Sequence, residues 1–236
     1  MESDFFSQFK ARGVPLVAGV LTDKDVSTLD GSSLDAVDVI ELRVDMFDVL
    51  SPDHVDTVFT TARHRFRKPL IGTIRDISEG GQQKIDDRLS LYRTIVPLSD
   101  FIDVELQATS LFLELSRLIT GTRPLLIGSY HNFQSTPDDT FLDDLVSRGK
   151  DLGADIVKVA TMANTREDMV KLLLFTLRNR HKGLITMSLG DHGLPTRVVS
   201  PLFGSLISYG FINVPSAPGQ LSIAELRHIF NILKIR

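Results

Sequence analysis

Asp155-Ile156-Val157-Lys158-Val159-Ala160 is a short β-branched, apolar run with one lysine at its centre, and it reads as a strand. Apolar residues on both parities mark a parallel strand covered by helices on one face and a packed core on the other. Lys158 therefore leaves bulk water whichever way it points. Burial penalises the ammonium form, and a neutral lysine amine attacks carbonyls to form a Schiff base. The plainer alternative is a buried stem whose charged head reaches the strand end. The surroundings of this strand bear on the choice.

Working outward, Gly153 ends a helix that Thr136-Pro137-Asp138 opens and that runs to about Leu152. Thr165-Arg166-Glu167-Asp168 is a capping-type start for a helix to about Arg180. The same strand-then-helix unit recurs along the chain. Strands are expected at Pro15 to Leu21, Val37 to Val44, Pro69 to Arg75, Phe101 to Leu106, Pro124 to Tyr130, Lys182 to Ser188 and Gly210 to Val214. Helices are expected around Asp23 to Leu34, from Ser51-Pro52-Asp53 to about His64, and from about Ile85 to Leu98. Further helices are expected from Ser110 to Ile119 with a stop at Gly121, from Pro201 to Ser208, and from Ser222 to Leu233. Eight such units predict an α/β fold of the (β/α)₈ TIM-barrel type, one catalytic domain over residues 1–236 with no linker or low-complexity break.

Composition agrees with this class. The chain has 236 residues, 42% hydrophobic and 24% charged, which is ample material for one core. A net charge of -4 and the lack of a basic cluster give no sign of a nucleic-acid partner. The absence of cysteine removes disulfides, thiolate metal sites and a cysteine nucleophile, and fits a cytoplasmic protein. Met1 to Arg12 has no apolar signal core. The uncharged stretch Val198 to Ala224 is broken by Pro201, Gly204, Gly210, Pro215, Pro218 and Gly219, so no membrane helix is expected there.

Reacting groups in such barrels sit at the C-terminal ends of the strands. Here strand two ends Glu41-Leu42-Arg43-Val44-Asp45, strand three in Arg75, strand four in Asp103-Val104-Glu105, and strand five in Ser129-Tyr130-His131. Period-two alternation puts Glu41 with Arg43, Asp103 with Glu105, and Ser129 with His131 on common faces. Charges in such apolar company are expensive unless paired, so these residues and Lys158 imply a mutually compensated polar cluster. A salt-bridge network that merely closes the barrel mouth would use the same acids and arginines. A base-type histidine and a buried lysine among them point instead to chemistry. No His/Asp/Glu pair stands at metal-ligand spacing, and Gly190 with Gly193 makes no dinucleotide or phosphate-loop fingerprint. His54, His64, His181 and His228 read as surface or capping groups, and His192 as a solvated loop residue on the active face.

Several motifs together resemble type I 3-dehydroquinate dehydratase. They are Glu41-Leu42-Arg43-Val44-Asp45, Thr73-Ile74-Arg75 with Glu79-Gly80-Gly81, Asp103-Val104-Glu105, and Ser129-Tyr130-His131-Asn132-Phe133 with Thr136-Pro137. Gly153-Ala154-Asp155-Ile156-Val157-Lys158 and Ser216-Ala217-Pro218-Gly219-Gln220 complete the set. The resemblance implies a barrel enzyme, usually a homodimer, that needs no metal or cofactor. Such an enzyme converts 3-dehydroquinate to 3-dehydroshikimate in the shikimate route to aromatic amino acids. Lys158 then resembles the Schiff-base lysine and His131 the general acid/base, with Glu105 behind His131. Glu41, Arg43, Arg75, Arg197, Ser216 and Gln220 resemble the substrate-binding set. An iminium acidifies the neighbouring C–H enough for imidazole to remove it, and arginines and hydroxyls suit a polyhydroxylated carboxylate. One departure stands in strand one, where Ala18-Gly19-Val20-Leu21 lacks the hydroxyl side chain that relatives often carry.

Two other readings share some of these residues. A class I aldolase would also carry a strand-six lysine, but one acting on sugar phosphates would need a glycine-rich phosphate site after strands seven and eight, whereas Ser216 to Gln220 with Arg197 suits a carboxylate better. A non-catalytic barrel is compatible with the fold, though it has little reason to keep a buried lysine. The uncharged segment Ser216 to Gln220 is expected to act as a lid.

Overall fold

The computed structural model describes residues 15–119, 124–213, 215 and 219–235. Its strands are β1 (Leu16–Leu21), β2 (Val39–Arg43), β3 (Leu70–Thr73), β4 (Phe101–Glu105), β5 (Leu125–Asn132), β6 (Ile156–Met162), β7 (Leu184–Leu189) and β8 (Ile207–Gly210). All paired neighbours are parallel, in the order β7-β6-β5-β4-β3-β2-β1-β8. The seam between β7 and β8 is lighter. It is made by the Leu184–Ser205 bridge, the Leu206 N–H donating to the Leu184 carbonyl at 2.8 Å, and the Thr186 N–H donating to Ser205 Oγ at 2.9 Å. The fold is a nearly closed (β/α)₈ barrel, as expected from the alternation of elements.

The helices are α1 (Asp23–Thr28), α2 (Pro52–Phe66), α3 (Arg88–Ile95), α4 (Thr109–Ile119), α5 (Asp139–Asp151), α6 (Arg166–Asn179), α7 (Thr196–Val199) and α8 (Ile223–Ile232). Most begin where a short polar side chain takes up an N–H of the first turn. Ser51 accepts from His54 N, Asp138 accepts from Phe141 N, and Thr22, Thr165 and Ser222 each form a reciprocal capping box. Among the described residues no helix is long and apolar enough to cross a membrane.

Two expectations were displaced. The last strand is Ile207–Gly210 rather than Gly210 to Val214, because it pairs with β1 in the register Leu16–Ile207 to Gly19–Gly210. The stretch expected to form a helix at Pro201 to Ser208 instead follows α7 as a single 3₁₀ turn, Ser200–Phe203, and then supplies the strand. The region is uniformly apolar with Pro201 and Gly204 inside it, so periodicity alone did not separate a buried strand from a buried helix there.

Alternation sorts the interior into layers. Ala18, Val39, Ile71, Phe101, Ile127, Ile156, Ile185 and Ile207, one from each strand, form an apolar floor inside the barrel. Two residues further along each strand stand Val20, Glu41, Thr73, Asp103, Ser129, Lys158, Met187 and Tyr209. The reactive layer is thus the first inward layer above a dry floor.

Tyr92 on α3 ties the outer shell to this layer. Its buried hydroxyl donates to the Asp103 carbonyl at 2.7 Å and accepts from the Ile74 N–H at 3.3 Å. Tyr92→Phe strands both groups away from water, so the expected loss is about 1–3 kcal/mol of unfolding free energy. Urea denaturation checks this, and an unchanged midpoint would mean that the hydroxyl carries no net stability.

Candidate active site

The C-terminal mouth of the barrel holds a pocket whose lining includes Glu41, Arg43, Arg75, His131, Lys158 and Arg197, with Gln220 at its edge. The barrel mouth therefore brings together all of the expected site residues that fall among the described ones, except that Glu105 stands apart from the pocket lining. Ser216 lies outside the described residues.

Arg75 is the hub. Only 3% exposed, it donates through Nη2 to Asp103 Oδ1 at 2.7 Å, and through Nη1 to Ser129 Oγ at 2.6 Å and Glu105 Oε1 at 3.2 Å. Asp103 completes its pairing with Lys158, whose Nζ donates to Asp103 Oδ2 at 2.8 Å and reaches Glu41 Oε1 at 3.4 Å. Glu41 also accepts from Thr73 Oγ1 at 2.8 Å. The lysine is thus buried and paired with carboxylates. Burial works against the charge on Asp103, yet Arg75 and Lys158 outweigh it and hold this carboxyl well below the usual carboxylate range.

Arg43 is held flat by a two-pronged pair with Asp45, at 2.8 and 2.7 Å. Asp45 in turn accepts the Arg75 N–H at 3.1 Å and the Gln82 N–H at 3.2 Å, so one buried carboxylate locks the ends of β2 and β3 together.

Glu105 does not stand behind His131. Its Oε1 accepts from Arg75 and from the Asp76 N–H at 2.9 Å, and its Oε2 pairs with Arg88 of α3, so both oxygens are committed on the β3 side. The place behind His131 belongs to Glu79, whose Oε2 takes His131 Nδ1 at 2.9 Å and the His131 backbone N–H at 2.9 Å. Glu79 is delivered by a 3₁₀ turn, Ile77–Glu79, that Asp76 caps through Ser78 N at 2.9 Å and Gly80 ends at φ 88°. Gly81 then passes so close to β3 that a Cβ there would meet the Arg75 carbonyl at 2.3 Å. The Glu79-Gly80-Gly81 motif carried this signal, since a glycine pair after an acid lets a tight turn return the acid to the barrel.

Burial, together with the positive charges of Arg75 and Lys158, lowers His131 well below the usual 6.5, so the ring is neutral at pH 7. Glu79 accepts at Nδ1, which leaves the Nε2 lone pair as the base on the pocket side. Burial raises Glu79 itself to about 8, against the opposing pull of Arg75. Phe133 lies nearly parallel to the imidazole at a centroid distance of 6.4 Å and covers it from solvent.

Arg197, on α7, is 2% exposed, donates Nη1 to Met187 Sδ at 3.3 Å, and has no partner at Nε or Nη2 among the described residues. Burial pulls it down to about 10, which still leaves it charged at neutral pH. An unpaired buried guanidinium is a receptor for an anion, and a carboxylate fits its fork. Val20 supplies the only pocket-lining side chain of β1, so that strand offers an apolar surface. His192 is exposed, and His54 is bonded to Asp23 at 3.1 Å, away from the pocket. Among the described residues no group of three or more His, Asp or Glu could hold a metal ion.

Comparison with known proteins agrees with this geometry. The family described as type I 3-dehydroquinase matches residues 14–236. The 3-dehydroquinate dehydratase of Thermodesulfovibrio yellowstonii is 39% identical over 225 residues, 95% of this chain and 98% of its own. The crystal structure of 3-dehydroquinate dehydratase from Geobacillus kaustophilus aligns with a TM-score of 0.86 at 29% identity, covering 93% of this chain and 91% of that one. The type I enzyme from Clostridium difficile with covalently modified comenic acid gives 0.86 at 31% identity, covering 94% and 93%. The chain belongs to the type I 3-dehydroquinase family.

The Glu79 environment makes stability depend on pH. An unfolded glutamate is ionised above its ordinary 4.5, whereas folded Glu79 keeps its proton to about 8, so its stabilisation is complete below pH 4.5 and lost as the pH rises to 8. His131, lowered in the folded state, acts in the opposite direction but only below 6.5. Between pH 6.5 and 8 the slope from this pair therefore belongs to Glu79, on the order of ~2 kcal/mol. Denaturant unfolding across this window should show wild-type stability falling relative to Glu79→Gln. Parallel curves for the two proteins would refute the raised carboxyl.

Proposed function

We propose that this member of the type I 3-dehydroquinase family dehydrates 3-dehydroquinate to 3-dehydroshikimate through a Schiff base on Lys158, with His131 as general acid and base, in cytoplasmic aromatic biosynthesis. The observation that carries the reading is the presence of the Lys158 amine and the neutral His131 ring in the lining of one pocket that also holds the unpaired Arg197. The covalently modified ligand in the Clostridium difficile relative supports covalent chemistry at such a site. No metal or cofactor enters the scheme.

The steps follow from the residues. Lys158 Nζ passes a proton to the neutral His131 and attacks the ketone carbon, and that proton returns to the carbinolamine hydroxyl, which leaves as water to give an iminium. His131 Nε2 removes the proton from the adjacent carbon, and the electron pair moves to nitrogen as an enamine. The enamine electrons return and expel the ring hydroxyl, which departs as water with the proton carried by His131. Hydrolysis of the conjugated iminium consumes one water, releases the enone and restores the lysine. Overall one water leaves the substrate. Arg197 with Gln220 and Ser216 would hold the carboxylate, while Glu41, Arg43 and Arg75 would face the ring oxygens.

Borohydride reduction in the presence of 3-dehydroquinate, followed by mass spectrometry, tests the covalent step: a stable adduct on Lys158 is expected, and its absence during turnover would sink the mechanism. Lys158→Ala should abolish formation of the conjugated enone. It also removes a cation from Asp103 and Glu41, so it should melt earlier than wild type. His131→Ala should keep binding while losing roughly 10²–10⁴-fold in kcat and accumulating adduct. An unaltered pH–rate profile in that variant would remove His131 from its role.

We further infer a homodimer. Val170, Leu174 and Leu177 form an exposed apolar stripe along α6, which supports burial against a second copy. Light scattering should give about twice 26.2 kDa, and a monomer mass at micromolar concentration would contradict this.

A further inference from the structure

Tyr209 stands in the reactive layer of the barrel yet takes part in none of the steps above. It belongs to β8, opposite Ala18 of β1, with its side chain in the barrel interior and in the pocket lining. The residue is only 4% exposed. Lys158 Nζ lies 4.3 Å from the centre of its ring, over the face. Its hydroxyl is buried and has no hydrogen-bond partner among the described residues.

Each of these facts narrows what the side chain can do. A ring face at that distance attracts a cation, so it helps to fix the amine and, after condensation, the iminium. A ring alone would do this, and phenylalanine would do it without burying a hydroxyl. Burying an unbonded hydroxyl is unfavourable, and buried tyrosines usually find a partner. Glu41 Oε1 already accepts from Thr73 and Lys158, and Asp103 from Arg75, Ser129 and Lys158. Tyr209 belongs to the pocket lining, and no described protein group takes its hydroxyl proton. Burial, with Glu41 and Asp103 close by, holds this phenol well above its usual 10, so it stays a neutral donor through the working range.

We propose that Tyr209 is a further substrate-contacting residue, with its ring laid against the Lys158 nitrogen and its hydroxyl donating a hydrogen bond to an oxygen of the bound polyhydroxylated carboxylate. The proposal rests on the function assigned above and adds a polar contact from the eighth strand, where β1 next to it offers only Val20. It also gives a reason for specificity. A site with a buried unpaired donor penalises a ligand that lacks the matching oxygen, because the donor then stays desolvated and unsatisfied.

Tyr209→Phe isolates the hydroxyl, since the ring is kept and the variant loses an unpaired buried polar atom. Rates are normalised to the number of sites titrated by borohydride trapping on Lys158, so that a misfolded fraction does not mimic a weaker contact. The expected result is a fall of roughly five- to tenfold in kcat/KM, carried mainly by KM, with the Lys158 adduct still formed and the apo thermal midpoint equal to or above that of wild type. A kcat/KM within twofold of wild type, in a wild-type enzyme that turns over 3-dehydroquinate and is trapped on Lys158, would overturn the Tyr209 contact and leave the assigned function standing. A wild-type protein that neither turns over 3-dehydroquinate nor is trapped would overturn both.

Discussion

A guanidinium almost wholly removed from water cannot be left without anions, and Arg75 is in that position at the centre of the barrel mouth. It meets Asp103 and Glu105 from β4 and Ser129 from β5, while its own backbone is fixed by Asp45 beyond β2. The ends of β2, β3, β4 and β5 are therefore tied together at one residue. Removing a partner from such a set typically costs about 3–5 kcal/mol, because the remaining charge stays buried. The cluster can exist only if its charges balance. Glu41, Asp103 and Glu105 supply three negative charges, and Arg75, Arg88 and Lys158 supply three positive ones, while Glu79 and His131 stand as a neutral pair at pH 7.

That balance has a chemical consequence. In the proposed reaction the lysine nitrogen begins as an ammonium and becomes an iminium, so the charge at that point is the same before and after condensation. A cluster adjusted to a cation at Lys158 is therefore adjusted to the intermediate as well, without reorganisation. Burial first, and then the positive charges of Arg75 and Lys158, keep the imidazole of His131 neutral, and a neutral imidazole is what proton removal needs. One set of buried charges thus separates the roles of two titratable groups in a single pocket.

The alternation of strands and helices was legible because each strand is short, β-branched and bounded by caps or glycines, and period two then placed Glu41, Arg43, Asp103, Glu105, Ser129 and His131 on the interior side. Lys158 was legible as buried, but its carboxylate partners lie 55 and 117 residues away, and no local pattern encodes such a distance. Glu105 and Glu79 were exchanged for a related reason: both are acids at the ends of neighbouring units, and only the turn closed by Gly80 and Gly81 decides which one reaches the imidazole. Tyr209 was missed because the β8 register is set by pairing with β1, not by the uniformly apolar stretch that contains it. Arg88 was missed because it comes from a helix, outside the strand ends where polar residues were sought.

Arg197 differs from every charge in that cluster. It is as deeply buried as Arg75, yet among the described residues its guanidinium donates only to a thioether, a weak acceptor, and two of its nitrogens have no partner. The chain holds it in place through the backbone instead, with Ser208 Oγ donating to the Arg197 carbonyl at 2.6 Å, so the cost is imposed by the fold and not relieved within it. The pocket is consequently asymmetric: at the Lys158 end the protein satisfies its own charges, and at the Arg197 end it leaves one charge for the ligand. A neutral sugar would pair with the hydroxyl-binding side and leave the guanidinium stranded. A phosphate would bring close to two negative charges where one cation and no glycine-rich loop await it. A monocarboxylate matches the single open fork, and the free energy gained by pairing it is available to hold the ketone against the amine.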